Sequence, residues 1–175
     1  RCCLSLELTE DFVRTIPKTD LHVHLDGSLR LGTLVDLARS RKVSLPSWTE
    51  SGLRETVFKE NYRDLNEYLQ GFHYTTAVMQ DPEALEQISY ELAMDNFEEG
   101  VRYIEVRFAP QLHVHAGLSM EDVLMAVNRG LARARNEINA LPAIASASEP
   151  RFEYGIIVCA LRMFTEHFSD YYRQL

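Results

Sequence analysis

The spacing of hydrophobic positions changes period along the chain, and each change marks an element. Three stretches carry the short period and the β-branched or aromatic content of strands: Thr19 to Leu25, Val101 to Phe108 and Phe152 to Leu161. Asp26-Gly27, a turn dipeptide, closes the first, and Pro110 stops the second. The third is the most apolar, the pattern of a strand covered on both faces. Between the strands the period lengthens to that of a helix. Asp81-Pro82 is a start signal, with an acid at the cap and proline where its missing N–H costs nothing. Leu85, Ile88, Leu92 and Phe97 then recur at near-helical spacing, and Gly100 is the stop. Ser119-Met120-Glu121-Asp122 is a variant capping box, followed by a stripe of Val123, Val127, Leu131, Ala134 and Ile138. Leu29 to Gly100 reads as mostly helical, and Leu141 to Pro150 as the most flexible loop.

Strand, helix, strand, helix, strand is the order of right-handed βαβ units on a parallel sheet. Three parallel strands cannot close a barrel. The pattern therefore leaves two architectures: a small open α/β sheet, or the first part of something larger. No repeat, low-complexity tract or linker divides the 175 residues into domains.

Composition excludes more than it identifies. With 18 Lys+Arg against 26 Asp+Glu the net charge is −8, so neither a nucleic acid nor an anionic membrane surface is the expected partner. No apolar run reaches the roughly 18 residues that span a bilayer, and no basic-then-apolar leader is visible. Cys2, Cys3 and Cys159 make an odd count with two adjacent, which argues against a disulfide framework and for a reducing, cytoplasmic setting. The chain opens on Arg1 rather than Met, so a whole gene product is not the expectation.

The chemistry concentrates in Asp20-Leu21-His22-Val23-His24-Leu25-Asp26-Gly27. Residues two apart on a strand share a face, so His22 and His24 aim together while Leu21, Val23 and Leu25 face the other way. Their Cα atoms would lie roughly 7 Å apart, a separation from which two imidazoles can chelate one divalent metal such as zinc. The turn after His24 puts the pair at the C-terminal end of the strand, where parallel α/β folds build their sites. A chance alternation of two histidines is the competing explanation.

Resemblance decides between them. Pro17 through Ser28 (PKTDLHVHLDGS) is similar to the opening of the adenosine deaminase family, within the metal-dependent amidohydrolase superfamily. The likeness continues in order through Leu65–Phe72 (LNEYLQGF), Glu99–Pro110 (EGVRYIEVRFAP) and, more loosely, Cys159–Arg162 (CALR). It implies a TIM (β/α)8 barrel of the metal-dependent hydrolase type, of which residues 1–175 would be the N-terminal part of a single domain holding about three strands. It further implies one zinc per site, and hydrolysis of adenosine (and deoxyadenosine) to inosine and ammonia in purine salvage. In that chemistry the zinc activates a water that adds to C6 of the purine, and the exocyclic amine leaves.

Family roles carry over where residues match. His22 and His24 match the first two zinc ligands, and His24 also reaches the substrate. Asp26 matches the acid that binds the ribose 5′-hydroxyl; relatives acting on the free base tend to carry glutamate there, so aspartate favours a nucleoside. Leu65, Tyr68, Leu69 and Phe72 match the apolar gate over the purine, with Tyr68 where phenylalanine is more familiar. The third histidine ligand and proton-donating glutamate (His-Ala-Gly-Glu), a second catalytic histidine and paired aspartates are absent and expected beyond Leu175. His115-Ala116-Gly117-Leu118 imitates that motif without its acid. Two ligands cannot complete a catalytic zinc site, so the 175 residues alone are expected to be inactive.

Other residues have plainer readings. Glu105 and Arg107 alternate on one face of the second strand and are expected to form an ion-pair network inside the barrel wall, with Arg162 serving similarly after the third strand. His113 and His115 read as a surface loop, His73 as surface or core edge, His167 as a remote candidate for the mouth, and Cys159 as core filler. Arg39-Ser40-Arg41-Lys42 reads as a helix C-terminus complementing its dipole. Two rival functions stay open: a related amidohydrolase acting on adenine or a modified adenosine, and a truncated interaction module. A small α/β domain with coincidental histidines fits the colinear likeness least. The Pro-Cys-x-x-Cys signature of the other deaminase lineage is absent, and oligomeric state is not legible.

Overall fold

Three parallel strands, β1 (Lys18–His24), β2 (Val101–Phe108) and β3 (Glu153–Val158), form one sheet in the order β1-β2-β3. The computed structural model describes residues 8–161 and residue 173. Around the sheet stand α1 (Glu10–Thr15), α2 (Leu31–Arg41), α3 (Glu50–Thr56), α4 (Leu65–Val78), α5 (Pro82–Glu98), α6 (Met120–Asn139) and α7 (Pro142–Ala145), with 3-10 turns at Leu25–Gly27 and Pro110–His113. No helix among the described residues is long and apolar enough to cross a membrane.

The start and stop signals act as local chemistry requires. Asp81 accepts a hydrogen bond from the Ala84 N–H at 2.9 Å and begins α5. Ser119 and Asp122 complete a reciprocal capping box at the start of α6, the Asp122 N–H donating to Ser119 Oγ at 3.0 Å and the Ser119 N–H to Asp122 Oδ2 at 3.2 Å. Gly100 ends the α5 turn with φ of +84°, where a side chain is strained and has no room: a Cβ would stand 2.7 Å from Lys18 Nζ and 2.9 Å from the Arg14 carbonyl oxygen. The same Lys18 ammonium donates to the carbonyls of Val13, Arg14 and Ile16 at 2.8, 3.1 and 3.0 Å, tying the end of α1 to the base of β1.

The core lies between the sheet and the α5–α6 pair. Ile104, Val106 and Phe108 project from one face of β2 and are buried with Leu85, Ile88 and Leu92 of α5 and Val123, Val127 and Leu131 of α6. The helices cross closely at Gly130, where a Cβ would meet the Glu86 carbonyl oxygen at 2.2 Å. The opposite face of β2, with Tyr103, Glu105 and Arg107, is only half-buried.

Three expectations change. β3 is half-buried or exposed rather than covered on both faces, because it is an edge strand of the sheet described and helices cover one side. The Leu141–Pro150 segment is no free loop: α7 forms within it and buries Ile144. Leu21 is 54% exposed instead of sharing one face with half-buried Val23 and buried Leu25. The cause is a β-bulge: Asp20 pairs with Ile104 and Val23 with Val106, so Leu21 and His22 together oppose one residue of β2.

Candidate active site

Parallel pairing brings the ends of all three strands to one edge of the sheet, and β1 delivers His24 there opposite Arg107 of β2. The rings of His22 and His24 lie 5.3 Å apart between centroids, tilted by 39°, and both side chains are exposed. Leu25–Gly27 then turns tightly, burying Leu25 and Asp26 beneath α4. Ser28 Oγ donates to the His24 carbonyl at 2.6 Å and fixes the exit of that turn.

Asp26 is 8% exposed and has no hydrogen-bond partner for Oδ1 among the described residues. Burial pushes its carboxyl above the usual carboxylate range, opposed by the nearby His24 ring and by the backbone N–H of Asp26 itself. His24 Nδ1 stands 3.9 Å from Asp26 Oδ1. Over this carboxyl α4 and the loop before it raise an aromatic wall. Tyr62 and Tyr68 meet edge to face at 5.2 Å between centroids, and Tyr68 and Phe72 at 5.6 Å.

Two adjoining concavities share this wall. One is lined by Asp26 and Gly27 with Phe58, Tyr62, Tyr68, Gly71, Phe72 and Thr75. The other runs over His22, Val23 and His24 to Ser28, Tyr68, Leu69 and Phe72. The fold thus brings His22, His24, Asp26, Tyr68, Leu69 and Phe72 together. Leu65, the first residue of α4 and 67% exposed, lies outside both linings. Phe58, Tyr62 and Thr75 were not foreseen. A usable signal existed in four aromatics gathered between Phe58 and Phe72.

The two histidines suit a zinc. Imidazoles sharing one tetrahedral zinc, with Zn–N bonds of about 2.0–2.1 Å, have ring centroids roughly 5 Å apart, as these do. Among the described residues no cluster of three or more His, Cys, Asp or Glu is positioned to hold a metal, so this segment offers a pair of donors and not a full set.

Glu105 and Arg107 share the half-buried face of β2 but reach different partners instead of each other. Tyr103 Oη donates to Glu105 Oε1 at 3.2 Å, which raises the tyrosine pKa. Arg107 Nη2 donates to the Leu21 carbonyl at 3.0 Å, and Arg107 Nε is buried without a partner among the described residues. Arg162 and His167 lie outside the described residues, as do Cys2 and Cys3.

The second His-x-His is a correction. His113 is fully buried rather than on a surface loop, because the 3-10 turn after β2 folds it against Phe108 and onto Met79, whose carbonyl lies 3.0 Å from His113 Nδ1. Desolvation lowers its pKa to about 4. Its neighbour His115 is exposed, so the rings do not share a surface. His73 is exposed on α4, and Cys159 is half-buried just past β3.

The family model described as adenosine deaminase matches residues 17–171. A probable adenosine deaminase of Dictyostelium discoideum is 41% identical over 157 residues, which is 89% of this chain and 19% of the relative. The adenosine deaminase of Vibrio vulnificus strain YJ016 is 48% identical over 120 residues, 68% of this chain and 36% of the relative. This chain therefore spans between about a fifth and two-fifths of the curated relatives it matches. Among solved structures, an ADAL–IMP complex superposes with a TM-score of 0.67 at 24% identity, over 91% of this chain and 45% of that one. A cog1816 amidohydrolase from Burkhoderia ambifaria, with bound Zn, superposes at 0.59 and 20% identity over 98% of this chain and 53% of that one. The three-stranded parallel sheet with its helices is part of a TIM (β/α)8 barrel.

Proposed function

The chain belongs to the adenosine deaminase family, and from that premise we propose that it supplies the first part of a zinc-dependent active site that deaminates adenosine and deoxyadenosine to inosine and ammonia. Residues 1–175 are read as the N-terminal part of one barrel domain. The observation that carries the reading is the pairing of His22 and His24 at 5.3 Å beside the buried carboxyl of Asp26, whose Oδ1 has no hydrogen-bond partner among the described residues, under one aromatic wall.

His22 and His24 are the residues that would hold zinc, and the metal when bound supplies activation of water for attack on the purine ring. Asp26 accepts from the ribose 5′-hydroxyl, its spare Oδ1 being an acceptor already paid for in desolvation. Phe72 and Tyr68 offer ring faces and edges to the base, and Leu69 excludes water from above. His24, 3.9 Å from Asp26 Oδ1 and lining the concavity with Tyr68 and Phe72, would contact metal and substrate alike.

The same lining favours a nucleoside over its monophosphate. Among the described residues, the concavity around Asp26 holds a carboxyl, aromatic rings and small residues, and no Lys or Arg to neutralise a phosphate. Deamination of adenine or of a modified adenosine remains the second reading. With adenine, which lacks the ribose, the pocket beside Asp26 would be left without a ligand group to fill it.

The decisive experiment is metal analysis of the intact protein with a deamination panel of adenosine, deoxyadenosine, adenine, AMP and methylthioadenosine. One zinc per chain and preference for the first two support the reading. Turnover and zinc content that survive His22→Asn and His24→Asn together would overturn it. The 175-residue chain alone is expected to show no turnover, since a catalytic zinc needs about three protein ligands.

A further inference from the structure

The structure assigns to Asp20 and Arg107 a shared positioning role: they hold opposite ends of one peptide unit, between Leu21 and His22, and so set the orientation of the His22 and His24 rings. The inference rests on the reading of that pair as metal ligands. It goes beyond it by naming what aims them.

The bulge in β1 is the reason such a device is needed. With Leu21 and His22 together opposing one residue of β2, the peptide joining them drops out of the regular ladder. A peptide group without ladder bonds is free to rotate, and rotation here swings the backbone on which the His22 ring is mounted. Both of its polar atoms are nonetheless occupied by side chains. The His22 N–H donates to Asp20 Oδ1 at 3.0 Å, and the Leu21 carbonyl accepts from Arg107 Nη2 at 3.0 Å.

A carboxylate on the N–H and a guanidinium on the C=O oppose each other across the peptide plane and give it one orientation. Bonds to ionised groups are also roughly twice as strong as neutral ones. Arg107 has a second connection to the site, because it pairs in register with His24. One residue of β2 therefore lies opposite one histidine in the register, while its guanidinium holds the backbone of the other. That arrangement accounts for charged residues on the half-buried face of β2 that make no ion pair with one another.

The test compares Asp20→Ala, Asp20→Asn, Arg107→Met and Arg107→Lys in the intact protein. It reads zinc affinity by chelator competition, and the ring resonances of 15N-labelled histidine in the zinc-free state. Asp20→Ala and Arg107→Met should each weaken zinc roughly 10- to 100-fold and move the resonances of His22 and His24. Asp20→Asn keeps the Oδ1 acceptor and should bind zinc as the parent does, while Arg107→Lys restores part of the loss. The Asp20→Ala/Arg107→Met double variant should cost less than the sum of its parts, since both act on one peptide. Unmoved resonances with unchanged zinc affinity would overturn the proposal. So would a loss that merely tracks thermal stability and is matched by a destabilising change remote from the site. If the parent protein binds no zinc, the functional reading fails, yet the ring resonances of the variants still decide whether the clamp exists.

Discussion

Oδ1 of Asp26 stands 3.9 Å from Nδ1 of His24, buried and without a hydrogen-bond donor among the described residues. The carboxyl is thus buried at a cost to the fold. Burial raises its pKa, so the folded state binds this proton more tightly than the unfolded chain does. The contribution of Asp26 to stability is fully present below its unfolded pKa and is lost as pH rises through its raised folded value. At neutral pH the ionised group is a net burden. Asp26→Asn should raise the midpoint of thermal unfolding at pH 7, and the gain should shrink toward pH 4. The same substitution should weaken adenosine far more than adenine. Equal stability of the two proteins at both pH values would contradict the account.

The aromatic wall separates packing from polarity. Phe72 lines both concavities and lies against Gly27, where a Cβ would stand 3.4 Å from its ring. Phe72→Ala should raise KM for adenosine about tenfold, which is about 1.4 kcal/mol, with kcat changed less. Tyr68→Phe should leave both within about twofold, since Tyr68 acts through its ring. Steady-state kinetics on the intact protein measure both, and a larger effect from Tyr68→Phe than from Phe72→Ala would refute the division.

His113 makes the fold sensitive to mild acid. Its pKa falls from 6.5 in the unfolded chain to about 4 when buried. Between those values the unfolded state takes up the proton and the folded state does not, so stability is complete above 6.5 and declines as pH falls toward 4. By linkage the loss is on the order of 3 kcal/mol. Urea unfolding at pH 7 and pH 5 should show a clear drop in the parent protein and a flatter profile in His113→Leu.

The α5–α6 crossing tolerates no side chain at Gly130. Alanine would gain about 1 kcal/mol in helix propensity. Its Cβ, however, would fall 2.2 Å from the Glu86 carbonyl and 2.9 Å from the Tyr90 nitrogen, both parts of a backbone that cannot step aside. Gly130→Ala should therefore lower stability by about 1–3 kcal/mol, as overpacking does, leaving the ring geometry of His22 and His24 intact. A variant as stable as the parent would show that the helices can separate.

What the sequence made legible was mostly local. The acid-proline start of α5 and the capping box of α6 need only neighbouring residues, and both form as written. Strand β2 agrees to the residue. The bulge was invisible, because Asp20-Leu21-His22-Val23 alternates perfectly and only the pairing with β2 reveals the extra residue. His113 was misplaced for a related reason: a histidine after a strand-stopping proline looks like loop until Met79 and Phe108, distant in sequence, close around it. The site split the same way. His22, His24 and Asp26 lie in one motif, whereas Phe58, Tyr62 and Thr75 join them only through the path of α4 and the loop before it.

The apolar side chains that α4 leaves in water, Leu65, Tyr68 and Leu69, give ligand binding a thermal signature. A purine bound against Tyr68 and Leu69 would remove apolar surface from solvent, and such burial lowers heat capacity whatever the sign of the enthalpy. Titration calorimetry at several temperatures should find the binding enthalpy growing more negative on warming. The slope should fall when Leu69 is replaced by serine and stay unchanged when Leu65 is, so that the calorimeter, rather than the rate, reports how much of the helix the ligand covers.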